Sequence, residues 1–188
     1  MESLEKKHDI ILGIDPGTIR MGYAVIEASS RKPKLIAMGI INLSREGDHY
    51  QKLKTIFAKT HALILQYRPS QVALEAPFYG KNIQSMLKLG RAQGAAMAAG
   101  LQENLPIFEY APRKIKLAIT GKGNASKEEV ARLLEVFMKF EIESKYLDST
   151  DALAVAVCHY YQKNTLRSEG NYKNWEDFVK KNPGKINS

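Results

Sequence analysis

Three acidic residues stand where a chain ordinarily avoids charge. Asp15 ends the apolar run Ile10-Ile11-Leu12-Gly13-Ile14, and Glu75 ends Val72-Ala73-Leu74. Asp151 opens the apolar segment Ala152-Leu153-Ala154-Val155-Ala156-Val157, and a fourth acid, Asp148, lies three residues before it. Carboxylates are seldom fully buried unless they are paired or bind metal. Acids at element ends so far apart in sequence therefore point to one converging divalent-metal site. Four carboxylates crowded together would raise one another's pKa, and divalent cations relieve that conflict. Oxygen ligands without paired cysteines or histidines favour Mg²⁺ or Mn²⁺ over Zn²⁺.

Each acid also has a plainer reading. Asp15 sits in Gly13-Ile14-Asp15-Pro16-Gly17, where Pro16 and Gly17 stop a strand and let a ligand approach the backbone. Glycine turns after strands are common, so that motif alone is weak. Glu75 is followed closely by Pro77, which ends the strand and leaves the carboxylate at its rim. Asp148 and Asp151 share one face of a helix, and Asp148 could equally be an ordinary N-cap. His159 lies eight residues beyond Asp151, roughly 12 Å further along a helix, and reads as a partly buried helix histidine rather than a ligand.

The elements that must position these groups follow from periodicity. Residues 10–14, the run Tyr23-Ala24-Val25-Ile26 and residues 35–41 read as three strands with short connections, an antiparallel meander. Residues 48–67 carry Leu53, Ile56, Phe57, Leu63 and Ile64 at helical spacing, ended by Pro69. Then come a strand at 71–75, a helix at 82–102 and a strand at 106–110. A helix over Ser126–Phe140 opens with the capping box Ser126/Glu129, and a last core helix covers Asp148–Tyr161. This order implies an α/β fold: a mixed five-stranded sheet flanked by helices. Gly90, Gly94 and Ala98 lie four apart, as do Ala95 and Ala99, a small-residue stripe that lets another backbone come close, either the sheet or a partner's helix.

The 188 residues carry a formal charge of +8, which favours nucleic acid or another phosphate-rich partner. Lys81, Lys88, Arg91, Arg113, Lys114, Lys116, Lys122 and Lys127 surround the acidic motifs in sequence. Contacts of this kind give affinity for phosphates without reading sequence, although solvated helix faces are lysine-rich too. Lys127 follows Ser126 at a helix start, where anions bind readily. No apolar run approaches the ~20 residues that cross a bilayer, and Met1–Asp9 lacks the apolar core of a signal peptide. The single cysteine, Cys158, allows no intramolecular disulfide and fits a reducing cytoplasm. From Lys163 onward the chain is polar and basic, with Trp175, Phe178 and Val179 at i, i+3 and i+4, the pattern of a short helix docking on the body.

The quoted acidic motifs, with Glu75-Ala76-Pro77-Phe78-Tyr79-Gly80-Lys81-Asn82, Leu87-Lys88-Leu89-Gly90-Arg91-Ala92-Gln93-Gly94 and Asp148-Ser149-Thr150-Asp151-Ala152-Leu153-Ala154, resemble the RuvC family of Holliday junction resolvases. Each block is moderately specific; four in order, from about residue 9 to residue 162, are highly so. The resemblance implies an RNase H-like nuclease domain over residues 1–162, with 163–188 a basic extension. It implies a homodimer, a branch-migration helicase as partner, and Mg²⁺-dependent hydrolysis of DNA at four-way junctions in recombination and repair. By the same resemblance Asp15, Glu75, Asp148 and Asp151 hold the metals; two ions roughly 3.5–4 Å apart would flank one scissile phosphate, and the central place of Asp15 on the first strand suits it to bridge them. It further implies that Lys116 and Lys127 approach DNA, that Phe78 stacks near the junction centre with Tyr79 and Lys81 beside it, and that nicks leave 5′-phosphates. Three rival readings use part of this pattern. Another RNase H-like nuclease, acting on RNA or other branched DNA, would use the same carboxylates. A non-catalytic junction-binding module would be ill served by them, since without metal they weaken phosphate binding. An actin-like ATPase would need a second phosphate loop and a longer chain.

Overall fold

The computed structural model describes residues 9–28, 32–77, 82–139 and 147–169, and the side chains of the last stretch only from Ser149 to Lys163. Five strands are formed: β1 (Ile10–Asp15), β2 (Arg20–Glu27), β3 (Lys34–Asn42), β4 (Gln71–Glu75) and β5 (Ile107–Tyr110). The helices are α1 (His49–Tyr67), α2 (Ile83–Gln102), α3 (Pro112–Thr120), α4 (Lys127–Met138) and α5 (Leu147–Glu169). The sheet order is β3-β2-β1-β4-β5. β1, β2 and β3 pair antiparallel, as their short connections require, whereas β4 and β5 run parallel to β1 after helical crossovers.

The pleat sorts the two faces. Ile11 and Ala73 look toward α5, while Leu12, Ile14, Val72 and Leu74 pack against α1 and α2. By the same alternation Asp15 and Glu75 share the α5 side. They lie one residue past the last paired rung, Ile14 with Leu74, so two parallel strands deliver two carboxylates to one rim. Helix α5 is apolar all round its middle, with Ala152 to Cys158 buried, because it is sandwiched between the sheet and α3 and α4.

Gly13 sets how closely α5 approaches β1. A Cβ there would stand 2.3 Å from the Ala152 carbonyl oxygen and 2.8 Å from Ala156 Cβ. Gly17 makes the turn after Asp15, where a Cβ would meet the Arg20 carbonyl oxygen. Lys52 Nζ on α1 donates to Thr18 O at 3.0 Å and pins that turn.

Two helices differ from expectation. α3 has only Ile115 buried, so no apolar period announces it; Pro112 at its first turn and Gly121 at φ 74 just beyond its end are the local signals. α5 runs past Tyr161 to Glu169, through polar residues that carry no stop. The capping box of Ser126 and Glu129 forms as read. Cys158 and His159 are both buried. Among the described residues no helix is long and apolar enough to cross a membrane.

Candidate active site

The rims of β1 and β4, the first turns of α5, and helices α3 and α4 enclose an open cleft of about 380 Å³. Asp15, Glu75 and Asp151 line it, with Lys116 from α3 and Lys127 from α4 on the facing wall. Ile115, Val130 and Ala154 form its apolar floor. The acids, 136 residues apart at the extremes of the sequence, thus share one cavity, and two of the basic residues singled out above stand across from them.

The electrostatics of the cleft are those of excess negative charge. Burial, reinforced by the charges of Asp15 and Asp151, pushes the Glu75 carboxyl from 4.5 up to about 7, against the pull of Lys127 and Lys116. Lys127 Nζ donates to Asp151 Oδ2 at 2.5 Å. That bond, with the neighbouring Asp15 and Glu75, raises the lysine's own pKa despite partial burial. The ammonium neutralises one carboxylate and leaves the others in conflict.

The donor set fits a hard divalent cation: three carboxylates, no thiolate and no imidazole in the cleft lining. As the groups stand, no three acidic, imidazole or thiol side chains among the described residues close on a common point at ion-holding distance. Lys127 is paired with Asp151. Asp148 lies in the first turn of α5 by its backbone; its side chain is outside the described set, as are Phe78, Tyr79 and Lys81.

His159 is excluded from the cleft. Its Nδ1 is 2.6 Å from Tyr110 Oη and its Nε2 is 2.6 Å from Gln71 Oε1, and Phe108 packs on its ring. Burial, then Lys163, drive its pKa down to about 4, so the ring is neutral.

A residue that sequence reasoning did not mark is Gln93. With Asp15, Pro16, Glu75 and Leu89 it lines a smaller hollow of about 160 Å³ on the α2 side of the same rim. It is an uncharged amide among alanines, and its partners come from two separate strands. The only sequence signal was a polar residue interrupting the small-residue face Ala92–Ala99.

The match to known proteins is extensive. The family model "Crossover junction endodeoxyribonuclease RuvC" matches residues 11–159. A crossover junction endodeoxyribonuclease RuvC of Christiangramia forsetii is 54% identical over 185 residues, covering 98% of this chain and 96% of that one. Its counterpart in Bacteroides fragilis is 52% identical over 182 residues, covering 96% and 97%. Among solved structures, Thermus thermophilus RuvC in complex with Holliday junction substrate superposes with a TM-score of 0.77 at 28% identity, covering 84% of this chain and 96% of that one.

Proposed function

The chain belongs to the crossover junction endodeoxyribonuclease RuvC family, and on that premise we propose how its own residues carry out the family's reaction. It is a nuclease of RNase H-like fold that resolves four-way DNA junctions and depends on a divalent metal. We assign metal binding to Asp15, Glu75, Asp148 and Asp151. The observation that carries this reading is the meeting of Asp15, Glu75 and Asp151 in one cleft faced by Lys116 and Lys127.

Asp15, on the central strand, would hold the ions together with Glu75 and the acids of α5. Two Mg²⁺ ions held there, replaceable by Mn²⁺, would supply an activated water at neutral pH and charge to stabilise the leaving oxygen. The chain's part is to position and neutralise. Glu75 gives up the proton that its surroundings favour when positive charge enters the cleft. Lys127, released from Asp151, and Lys116 grip the phosphates flanking the scissile bond, a charge-assisted contact that reads no sequence. Phe78, with Tyr79 and Lys81 beside it, stacks on an unpaired base at the crossover, a contact worth about 1–3 kcal/mol. The nicks leave 5′-phosphate ends.

The active form is a homodimer. On the outer face of α2, Ile83 is 70% and Leu87 51% exposed, and the Cβ positions of Gly90 and Gly94 look into open space. We assign the row Gly90, Gly94 and Ala98 to a partner's helix, while Ala99 packs inward on the sheet side. A twofold contact through that row sets two clefts against two strands. Residues 1–162 form the nuclease unit. The extension starts within α5, where Lys163 Nζ meets the Asp9 carboxylate at 2.6 and 2.8 Å, and its part beyond Glu169, with Trp175, Phe178 and Val179, lies outside the described residues. Cytoplasmic residence and a branch-migration helicase partner complete the assignment.

The test is a synthetic mobile four-way junction incubated with Mg²⁺, with both nicks mapped. Paired symmetric cuts, lost in Asp15→Asn while junction binding persists, support the reading. Equal cleavage of linear duplex, or undiminished cutting by Asp15→Asn, overturns it.

A further inference from the structure

The catalytic rim is also held from the opposite face of the sheet, by a side chain with no part in the chemistry above. Gln93 is 5% exposed and lies on the inner face of α2 beside Ala92, Ala96 and Ala99. A buried amide costs free energy unless its hydrogen bonds are met, and an alanine would continue that face without the cost. Gln93 meets the need at the rim. Its Nε2 donates to Glu109 Oε1 at 2.5 Å and to the main-chain oxygen of Glu75 at 3.4 Å.

Glu109 faces α2 from β5, and the next residue completes the grip. Ala76 N donates to Tyr110 O at 2.9 Å. The peptide after Glu75 is thus fixed at both ends, its carbonyl oxygen by α2 and the following N–H by β5. The ladder goes no further, because Pro77 has no N–H to offer.

We propose that Gln93 is a positioning residue: it fixes the main chain that aims the Glu75 carboxylate, and Glu109 anchors the amide that does so. The inference rests on Glu75 being a metal ligand. A carboxylate at the last residue of a strand, two residues before a proline, has its direction set by the peptide that follows. Removing one of two holds on that peptide lets the carboxylate swing while the fold survives.

Gln93→Met keeps the length of the side chain and removes both donors. In the full-length protein it is expected to slow single-turnover junction cleavage and to weaken Mn²⁺ binding by DNA-free protein, read by electron paramagnetic resonance of free Mn²⁺, each by roughly tenfold to a hundredfold. Junction binding in EDTA stays unchanged. A swapped pair, Gln93→Glu with Glu109→Gln, separates positioning from packing. It rebuilds an amide–carboxylate bond between α2 and β5 but leaves no donor for the Glu75 oxygen. The swap is expected to recover the melting temperature and not the cleavage rate or Mn²⁺ affinity. Wild-type rate and Mn²⁺ binding in Gln93→Met, or recovery of rate in step with melting temperature in the swap, overturns the proposal. Glu75→Gln is the control: if it still cuts with Mg²⁺, the ligand assignment itself fails, whereas an inactive Glu75→Gln beside a normal Gln93→Met sinks only the role of Gln93.

Discussion

Single residues in the cleft carry a charge imbalance that titration will expose. The Glu75 carboxyl, ordinarily at 4.5, is held up to about 7 in the folded chain. Between those values the folded state keeps a proton that the unfolded state has lost. The stability this contributes is complete below 4.5 and disappears as pH rises through about 7. Metal-free protein is therefore expected to melt at lower temperature as pH goes from about 5 to about 8, a trend that Glu75→Gln flattens and saturating Mg²⁺ removes. Differential scanning calorimetry with and without Mg²⁺ reads this directly; an unchanged slope in Glu75→Gln would show that the strain lies elsewhere. The three acids were legible in the sequence because each breaks or borders an apolar run, where charge is too costly to be accidental. Gln93 was not, since an uncharged amide on a helix gives no hint of which strands supply its acceptors.

Elements hold these residues by close contact. The Gly13–Ala152 contact sets the spacing between β1, which carries Asp15, and α5, which carries Asp151. Gly13→Ala is expected to cost about 1–3 kcal/mol by overpacking. It also lifts the acid-bearing end of α5 off the strand, so cleavage falls further than stability alone explains. Urea denaturation set beside single-turnover rates decides the point. A second prediction concerns the buried bonds joining β4, β5 and α5 through His159. Its pKa is lowered from 6.5 to about 4, chiefly by burial. As pH falls below 6.5 the unfolded chain takes up the proton first, so stability is lost down to about 4, amounting to about 3 kcal/mol. His159→Gln is expected to be less stable at neutral pH and to lack that acid-side slope. The strands and the longer helices were readable because long apolar periods leave few alternatives. Helix α3 was hidden: nine residues with one buried side chain carry almost no period, and only its ends mark it. That short element is what brings Lys116 to the cleft.

The whole chain is cationic, and its described residues hold an acidic cleft. Its net charge of +8 is expected to make junction affinity fall steeply with salt, and Lys116→Ala and Lys127→Ala each to reduce the log–log slope by about 0.9. Filter binding in EDTA over a salt series measures it; a slope unmoved by either variant would place those lysines away from the phosphates. Gly94→Leu, on the open face of α2, is expected to yield monomers by sedimentation and to abolish paired nicks. Dimers that persist would move the contact to another face. The mixed sheet and its flanking helices followed from chain order, but the outward aim of the stripe did not, because helical spacing alone is silent on which neighbour a face will meet. The bond between Lys127 and Asp151 has a last consequence. The cleft carries a cation of its own, the Lys127 ammonium, against one of its acids. Protein in EDTA is therefore expected to lose cleavage and keep its helical circular dichroism; loss of that signal on chelation would show that the ion holds the fold.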